Sequence, residues 1–242
     1  MSTQLTGAVT LAAQSIFSES QNAMHNLGEL VFSNDGRAYR YCKAGATALV
    51  TGKLQQSSAE DTTNFQNLTV TAPSAGATSI TTTTTVTLTA NQLAGGLLTV
   101  TSATTGAGQV LKIAGHAAAS AAAVTINLED AVVIACTGTT KIDMAPNPFS
   151  AIVVNPTTLT SAPAGVAVYN ITAAYFGWLQ VGGVASILAD GANVVGANLV
   201  ASNGVAGAVE DAAAPGSQPL VGTALTGAAD TEYGLVKLQG MI

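Results

Sequence analysis

The residues best suited to acid–base or metal chemistry are two histidines, and they stand apart from each other in the sequence. Neither His25 nor His116 has a Cys or a second His at the spacing of a metal-ligand motif. His116 follows the apolar stretch around Ile113 and is expected at the end of a strand, as a loop residue rather than a general base. The sequence therefore predicts no metal site built on histidine or cysteine.

Three adjacent acidic pairs are the next candidates for chemistry: Glu60-Asp61, Glu129-Asp130 and Glu210-Asp211. General acid–base catalysis on a substrate needs two carboxylates that face each other across it. Neighbouring residues on a strand point to opposite faces, so we interpret these pairs as solubilising loop charges. A calcium site built from loop oxygens stays open, because carbonyl ligands leave no clear mark in a sequence.

Motifs for nucleophilic catalysis and phosphate binding are missing from the sequence. It contains no Gly-x-Ser-x-Gly elbow, Walker loop or dinucleotide-binding fingerprint, and we interpret the Gly-x-Gly within 105–108 as a hairpin loop. Cys42 and Cys136 are far apart, and both are expected to be reduced and buried. We expect a protein that is not an enzyme and that uses no cofactor.

The charge content indicates contact with other proteins. Charged residues make up 8% of the chain, whereas about 25% is usual in soluble domains. Because a soluble monomer normally depends on a charged surface, much of the exterior is expected to meet other protein. The net charge is −6, and the one basic concentration, Arg37, Arg40 and Lys43, is too small for a nucleic-acid stripe. We therefore predict no direct nucleic-acid partner. Since no apolar run is long enough to span a bilayer, we predict no membrane association either.

The stretch 174–191 is the element around which the rest of the chain is expected to fold. It contains the only tryptophan, Trp178, and two apolar runs that flank Gly182-Gly183, which we interpret as the turn of a central hairpin. The predicted structural core comprises Tyr175, Phe176, Trp178, Leu179 and Val181. In the alternative interpretation, Trp178 and Tyr175 form an exposed platform for a sugar.

Alternating apolar residues predict an all-β fold with two small β-barrel or β-sandwich units and an N-terminal arm. The predicted segments are an arm over 1–26, a hairpin and linker over 27–64, a middle β unit over 65–156 and a C-terminal β-barrel over 157–242. The arm is either a short helix with Leu5, Val9, Ala12 and Ile16 on one face or an extended arm that lies on a neighbouring subunit. The hairpin turns at Asn34, Asp35 and Gly36 and is expected to pack on the C-terminal unit. In the middle unit, the apolar run 131–135 predicts a fully buried strand.

The C-terminal unit and the early hairpin resemble the head-decoration, or cement, proteins of tailed bacteriophages. The resemblance lies in Tyr-Phe-Gly-Trp-Leu-Gln-Val-Gly-Gly at 175–183, Leu-Ala-Asp-Gly at 188–191, Val-Gly-Thr-Ala-Leu at 221–225, Val-Lys-Leu at 236–238 and the hairpin at 32–41. It covers about residues 28–43 and 165–240 and brings no catalytic residue with it.

This resemblance implies a β-barrel or β-sandwich subunit, often a homotrimer, that docks on the outer face of an icosahedral shell. Its partner would be the major capsid protein, and its role would be to bridge neighbouring capsomers. The location implied is the exterior of the virion, after assembly in the host cytoplasm. The C-terminal unit with the early hairpin would be the capsid-binding and trimerising base. Two other interpretations stay open, namely a head–tail or tail structural subunit and a carbohydrate-binding adhesin module.

Overall fold

In this computed structural model the described residues are 5–6, 14–213, 218–239 and 241, with only the backbone described at 5–6. Strands account for 43% and helix for 2% of the chain, which confirms the all-β class. The elements in chain order are β1 (Leu5–Thr6), β2 (Leu30–Ser33), β3 (Ala38–Lys43), β4 (Leu54–Gln56), α1 (Thr62–Phe65), β5 (Leu68–Val70), β6 (Ser79–Thr83), β7 (Thr87–Leu88), β8 (Leu97–Ser102), β9 (Val110–His116), β10 (Ala119–Ser120), β11 (Ala123–Leu128), β12 (Thr140–Ala145), β13 (Val153–Val154), β14 (Pro163–Ala167), β15 (Phe176–Gly182), β16 (Val184–Leu188), β17 (Asn198–Ala201), β18 (Val209–Asp211), β19 (Leu220–Ala224) and β20 (Tyr233–Leu238).

The chain divides into two units, one inserted into the other. The inserted unit, Glu60–Asn147, interrupts a discontinuous unit formed by Met1–Ala59 and Pro148–Ile242. The sequence interpretation drew the middle unit over 65–156. In the structure residues 148–156 belong to the discontinuous unit, where β13 pairs with β4.

Six strands of the inserted unit close into a barrel in the order β11-β6-β5-β12-β8-β9. Buried and exposed residues alternate along β6, β8, β9 and β11, so every second side chain points into the barrel. The barrel core includes Val70, Ile80, Leu98, Val100, Leu111, Ile113, Val124, Ile126 and Ile142. Helix α1 begins after Asp61, whose carboxylate accepts a hydrogen bond of 3.1 Å from the backbone N–H of Asn64.

The prediction of a fully buried strand at 131–135 is wrong. This segment has no regular secondary structure, and although Val132 is buried, Val133 and Ile134 are 77% and 55% exposed. The carbonyl oxygen of the Gln109 side chain accepts hydrogen bonds of 2.9 Å from the backbone N–H groups of both exposed residues. The N–H of Val132 donates to the carbonyl of Ala77, and its carbonyl accepts from the N–H of Gly76, both at 2.8 Å. The run therefore satisfies its backbone through Gln109 and a neighbouring loop, without a place in a sheet.

The discontinuous unit contains two open antiparallel sheets. The seven-stranded sheet has the order β1-β2-β3-β15-β14-β4-β13, and the five-stranded sheet has the order β16-β20-β19-β17-β18. Leu54 and Val166 of the first sheet share a buried apolar cluster with Ile187, Leu199 and Val236 of the second. The two sheets therefore bury one face against each other, as in a β-sandwich. Residues 157–242, predicted to form a barrel, supply strands to both sheets, and the closed barrel lies in the inserted unit.

The early hairpin predicted around Asn34, Asp35 and Gly36 is confirmed. Strands β2 and β3 pair antiparallel, and the backbone N–H of Gly36 donates to the carbonyl of Ser33 at 3.0 Å. Gly36 has a φ of +82°, a conformation that glycine adopts at little cost. The carboxylate of Asp35 accepts hydrogen bonds from the Ser33 hydroxyl and from Nε of Arg37, which closes the turn.

The predicted hairpin turn at Gly182-Gly183 is wrong, because the strands on its two sides belong to different sheets. Strand β15 is paired on one side with β3 and on the other with β14, so it has no edge left for β16. Strand β16 pairs with β20 in the five-stranded sheet. Gly183, with a φ of +77°, forms the corner between the sheets, where a Cβ would come within 2.9 Å of the Cα of Arg37. The pair of glycines therefore changes sheets instead of reversing a hairpin.

The predicted N-terminal arm is described at 5–6 and from Gln14 onward. Leu5 and Thr6 form β1, which pairs antiparallel with β2, and residues 14–26 contain no helix. Ile16 is buried in a cluster with Trp178. The described part of the arm is extended or irregular, and Val9 and Ala12 of the proposed helical face lie outside the described residues.

Candidate interaction surfaces

His116, one of the two candidate general bases, has both ring nitrogens bonded to the backbone. Its Nε2 accepts a hydrogen bond of 3.1 Å from the N–H of Leu93, so Nδ1 carries the proton and donates to the carbonyl of Ala117 at 2.8 Å. The side chain is buried at the end of β9. His116 therefore ties two loops together and offers no lone pair to a substrate or metal.

His25, the second histidine, is packed among aromatic rings. Its ring centre lies 4.9 Å from that of Trp178 and 5.1 Å from that of Tyr41, and its Nδ1 is 3.2 Å from Oε1 of Glu29. The contacts of His25 with Tyr41 and Trp178 were not predictable from the sequence, because these residues come from separate segments, whereas Glu29 lies only four residues after His25. In this arrangement His25 attaches the N-terminal segment to β3 and β15.

Each acidic pair contains a residue that forms an ion pair or a hydrogen bond with a nearby part of the chain. Glu129 forms an ion pair with Lys112 at 2.9 Å, and the carboxylate of Asp211 accepts hydrogen bonds of 3.2 and 3.3 Å from the N–H of Val194. Asp61 caps α1. Among the described residues, no group of three or more His, Cys, Asp and Glu is placed to hold a metal ion.

Cys42 and Cys136 are free, buried thiols. Burial raises the pKa of both thiols above the ordinary value of a cysteine. Since the thiolate is the nucleophilic form, neither cysteine is suited to covalent catalysis.

The five residues predicted as structural core lie at different depths. Trp178 and Leu179 are buried, with Trp178 only 1% exposed, whereas Tyr175, Phe176 and Val181 are half-buried. The ring of Phe176 stacks on that of Tyr41 with centres 6.0 Å apart. A buried indole offers no face to a sugar, so the aromatic cluster is not an exposed platform.

One apolar surface lies on the early hairpin. Leu30 and Phe32 are both exposed and point to the same side of β2, while Val31 between them is buried. Within the described ranges, Leu5 and Thr6 are the residues paired with the outer side of β2, opposite Ser33 and Phe32. We call Leu30 and Phe32 the hairpin face.

Each unit also presents a pair of adjacent, exposed apolar residues that hydrogen bonds hold in place. In the inserted unit these are Val133 and Ile134, fixed by Gln109, whose Nε2 also donates to the carbonyl of Ile134 at 2.8 Å. In the discontinuous unit Val194 and Val195 are 62% and 64% exposed. We call Val194 and Val195 the valine tip.

A groove of about 600 Å³ opens in the discontinuous unit beside β16. Its lining is mostly apolar and includes Phe17, Val168, Val184, Tyr233 and Leu235, together with Ser186, Gln180 and Arg37. The ring of Tyr233 lies against Gly52, where a Cβ would come within 2.5 Å of a ring carbon. Several bulky side chains therefore reach solvent around one concave surface, which is typical of a protein–protein contact site.

Comparisons with protein-family models, with curated proteins and with solved structures find no match to this chain. Among the described residues, no helix has the length and apolar character needed to cross a bilayer. The features that bear on function are therefore the exposed apolar surfaces and the positions of the histidines, cysteines and acidic pairs that were candidates for catalysis or metal binding.

Proposed function

We propose that this chain is a non-enzymatic structural protein of a tailed-bacteriophage virion, which docks on the outer surface of the capsid and stabilises the shell by bridging capsomers. One observation carries the proposal: a chain with sparse charge holds bulky apolar side chains in solvent on hydrogen-bonded β elements. Surfaces of this kind mark contacts with other proteins. The resemblance to head-decoration proteins supplies the partner, the major capsid protein.

The hairpin face is the proposed docking surface. Leu30 and Phe32 lie on a strand that is fixed on one side by β3 and carries a two-residue partner, β1, on the other. A preformed apolar strand loses little conformational freedom on binding, and that favours affinity. The part of the outer edge of β2 that β1 does not pair can also bind an extended segment of a capsid subunit.

In this proposal the subunits form a homotrimer on the virion exterior, assembled in the host cytoplasm, and no cofactor, nucleic acid or membrane takes part. The placement of both histidines and both cysteines in local packing supports a role without catalysis. The burial of Trp178 counts against a carbohydrate-binding module built on that residue. A head–tail or tail subunit is distinguished from a decoration protein by where the chain sits on the particle.

Capsid binding by purified protein tests the proposal. We expect wild-type chain to co-sediment with capsids that lack it, and Leu30→Ser/Phe32→Ser to weaken binding by about tenfold or more, because two apolar side chains leave the interface. The matched control is Leu159→Ser/Val205→Ser, which removes two other exposed apolar residues of the same unit. Failure of the wild type to bind contradicts the function, and equal binding by the Leu30→Ser/Phe32→Ser variant contradicts the assigned surface.

A further inference from the structure

On the outer edge of strand β16, Ser186 lies at the groove, and neither its N–H nor its C=O has a hydrogen-bond partner among the residues that the structure describes. The N–H of Leu238 donates to the carbonyl of Gly183 at 2.9 Å, and along an antiparallel pair hydrogen-bonded and non-hydrogen-bonded positions alternate. Ser186 and Leu235 therefore form a non-hydrogen-bonded pair. The backbone of Leu235 confirms this, since its N–H donates to Oγ1 of Thr226 and its carbonyl accepts from Leu225, both away from β16.

On either side of Ser186, one backbone group that faces the outer edge of β16 is already hydrogen-bonded within the chain. The carbonyl of Val184 accepts a hydrogen bond of 2.8 Å from Nε2 of Gln180, and the N–H of Leu188 donates to the carbonyl of Gly52 at 2.9 Å. Bonds within the chain thus already take one backbone group two residues before Ser186 and one two residues after it. A long strand cannot add to this edge, whereas a tight turn that brings one donor and one acceptor can.

The valine tip is such a turn. The N–H of Ala197 donates to the carbonyl of Val194 at 3.0 Å, and Gly196 has a φ of +83°, which places Val195 and Gly196 at the centre of a type II turn. The N–H of Gly196 donates to the carbonyl of Ala224 at 2.8 Å. Within the described ranges, the N–H and C=O of Val195 have no hydrogen-bond partner, so both are available to another chain.

We propose that the valine tip of one copy of this chain docks in the groove of a second copy, with Val195 bonded through its backbone to Ser186. The two valine side chains lie against the apolar lining around Tyr233 and Leu235, and the backbone groups of Val195 and Ser186 exchange two hydrogen bonds. The contact joins different surfaces of the two copies, so its repetition builds a ring when the rotation between neighbouring copies closes and an open filament when it does not; the proposed homotrimer is the closed ring. This inference rests on the proposed function, since it supplies the contact that forms the homotrimer, but its test requires no capsid.

The tip at Val133 and Ile134 matches the groove less well. Gln109 already binds the N–H groups of both residues and the carbonyl of Ile134, so this tip has fewer backbone groups to give to Ser186. The Val133–Ile134 pair, equally apolar and exposed, therefore serves as a matched control for the valine tip.

Light scattering after gel filtration of the full chain tests the contact. We expect a mass of three chains for the wild type and for Val133→Ser/Ile134→Ser. Val194→Ser/Val195→Ser is expected to raise the dissociation constant about a hundredfold, through the loss of two buried apolar side chains. Val195→Pro keeps the turn, because proline suits its first central position, but removes the N–H that faces Ser186, and it is expected to weaken association by about tenfold. A monomeric wild type, or an assembly that Val194→Ser/Val195→Ser leaves intact, overturns the proposal.

Disulfide trapping gives a second readout, which reports the contact itself rather than the mass of the assembly. A mixture of Val195→Cys chains with Ser186→Cys chains should yield cross-linked dimers under oxidation, while either variant alone should not. The native Cys42 and Cys136 are buried and do not compete. Cross-linked dimers from one variant alone, or none from the mixture, contradict a contact between the tip and the groove.

Discussion

Trp178 and Tyr41 lie directly opposite each other on β15 and β3, and their rings meet edge to face with centres 4.9 Å apart. The ring of His25 packs against both, at 4.9 Å from the indole and 5.1 Å from the ring of Tyr41. Trp178, one of the two residues considered as a sugar platform, therefore packs against the segment that precedes the early hairpin. Its role is to hold the base of the hairpin face.

The burial of Trp178 predicts blue-shifted tryptophan emission and protection from acrylamide, both measurable directly because the chain has one tryptophan. Trp178→Ala should lower the free energy of unfolding by about 3–5 kcal/mol, measured by chemical denaturation, since it leaves a large cavity. Tyr169→Ala, at an exposed aromatic residue, should change it by less than about 1 kcal/mol. Red-shifted, readily quenched emission would contradict this packing.

Because Gly183 lies at a close-packed corner, replacing it with alanine should lower the stability of the fold more than the same change at an ordinary turn glycine. Gly183→Ala places a Cβ 2.9 Å from the Cα of Arg37 at a φ of +77°, so strain and a backbone clash add together. Gly36→Ala has a similar φ of +82° but meets nothing within 4 Å. Gly36→Ala should cost about 1 kcal/mol and Gly183→Ala about 2 kcal/mol or more, compared by thermal unfolding. Equal losses would show that Gly183 is not a close-packed corner.

The turn of the early hairpin predicts a pH effect at Asp35. The hydrogen bond from the Ser33 hydroxyl is the largest effect and holds the pKa of this carboxyl below its ordinary value of 3.8; desolvation opposes it, and the backbone and guanidinium of Arg37 lower the pKa further. Because the folded pKa is the lower one, this contribution to stability is present above pH 3.8 and is lost as the pH falls through the folded value. Ser33→Ala should raise the pKa of Asp35, followed by carbon-detected NMR titration. Ser74→Ala, at a distant serine, should leave it unchanged, and an unmoved pKa in Ser33→Ala would refute the assignment.

The clamp made by Gln109 predicts slow amide exchange at an otherwise exposed loop. Gln109→Leu removes the acceptor bonded to the N–H groups of Val133 and Ile134, so their hydrogen exchange should accelerate by about tenfold or more. Gln239→Leu, at an exposed glutamine of the other unit, is the control and should leave both amides unaffected. Fast exchange of both amides in the wild type would show that the loop is not held.

Local patterns in the sequence predicted much of the fold. Alternation at Leu98 and Val100 and at Val124 and Ile126 identified strands β8 and β11, because in a half-buried strand every second residue faces the core. The early hairpin was predictable because turn residues separate two alternating runs. These signals depend on neighbours in the chain, which a single sequence displays.

The features that the sequence did not predict depend on distant partners. Gly182-Gly183 has the composition of a hairpin turn, and only the pairing of β15 with both β3 and β14 turns it into a corner. The run 131–135 has the composition of a buried strand. Gln109, the residue before β9, instead bonds the N–H groups of Val133 and Ile134, whose side chains stay exposed. The free edge at the groove likewise depends on the register of β16 against β20, and the valine tip depends on the bond from Gly196 to Ala224. A sequence-level sign of the tip was the Val194-Val195-Gly196 run, in which glycine follows two apolar residues at a turn.

Cryo-electron microscopy of phage particles that carry this chain tests the central claim most directly. The account predicts three-fold density on the outer capsid surface, which spans the boundaries between capsomers and fits the discontinuous unit with the hairpin face toward the shell. Capsids reconstituted without the chain should lack that density and regain it when the purified protein is added. Density at the tail or the head–tail joint, or an outer surface that is the same with and without the chain, would contradict the account.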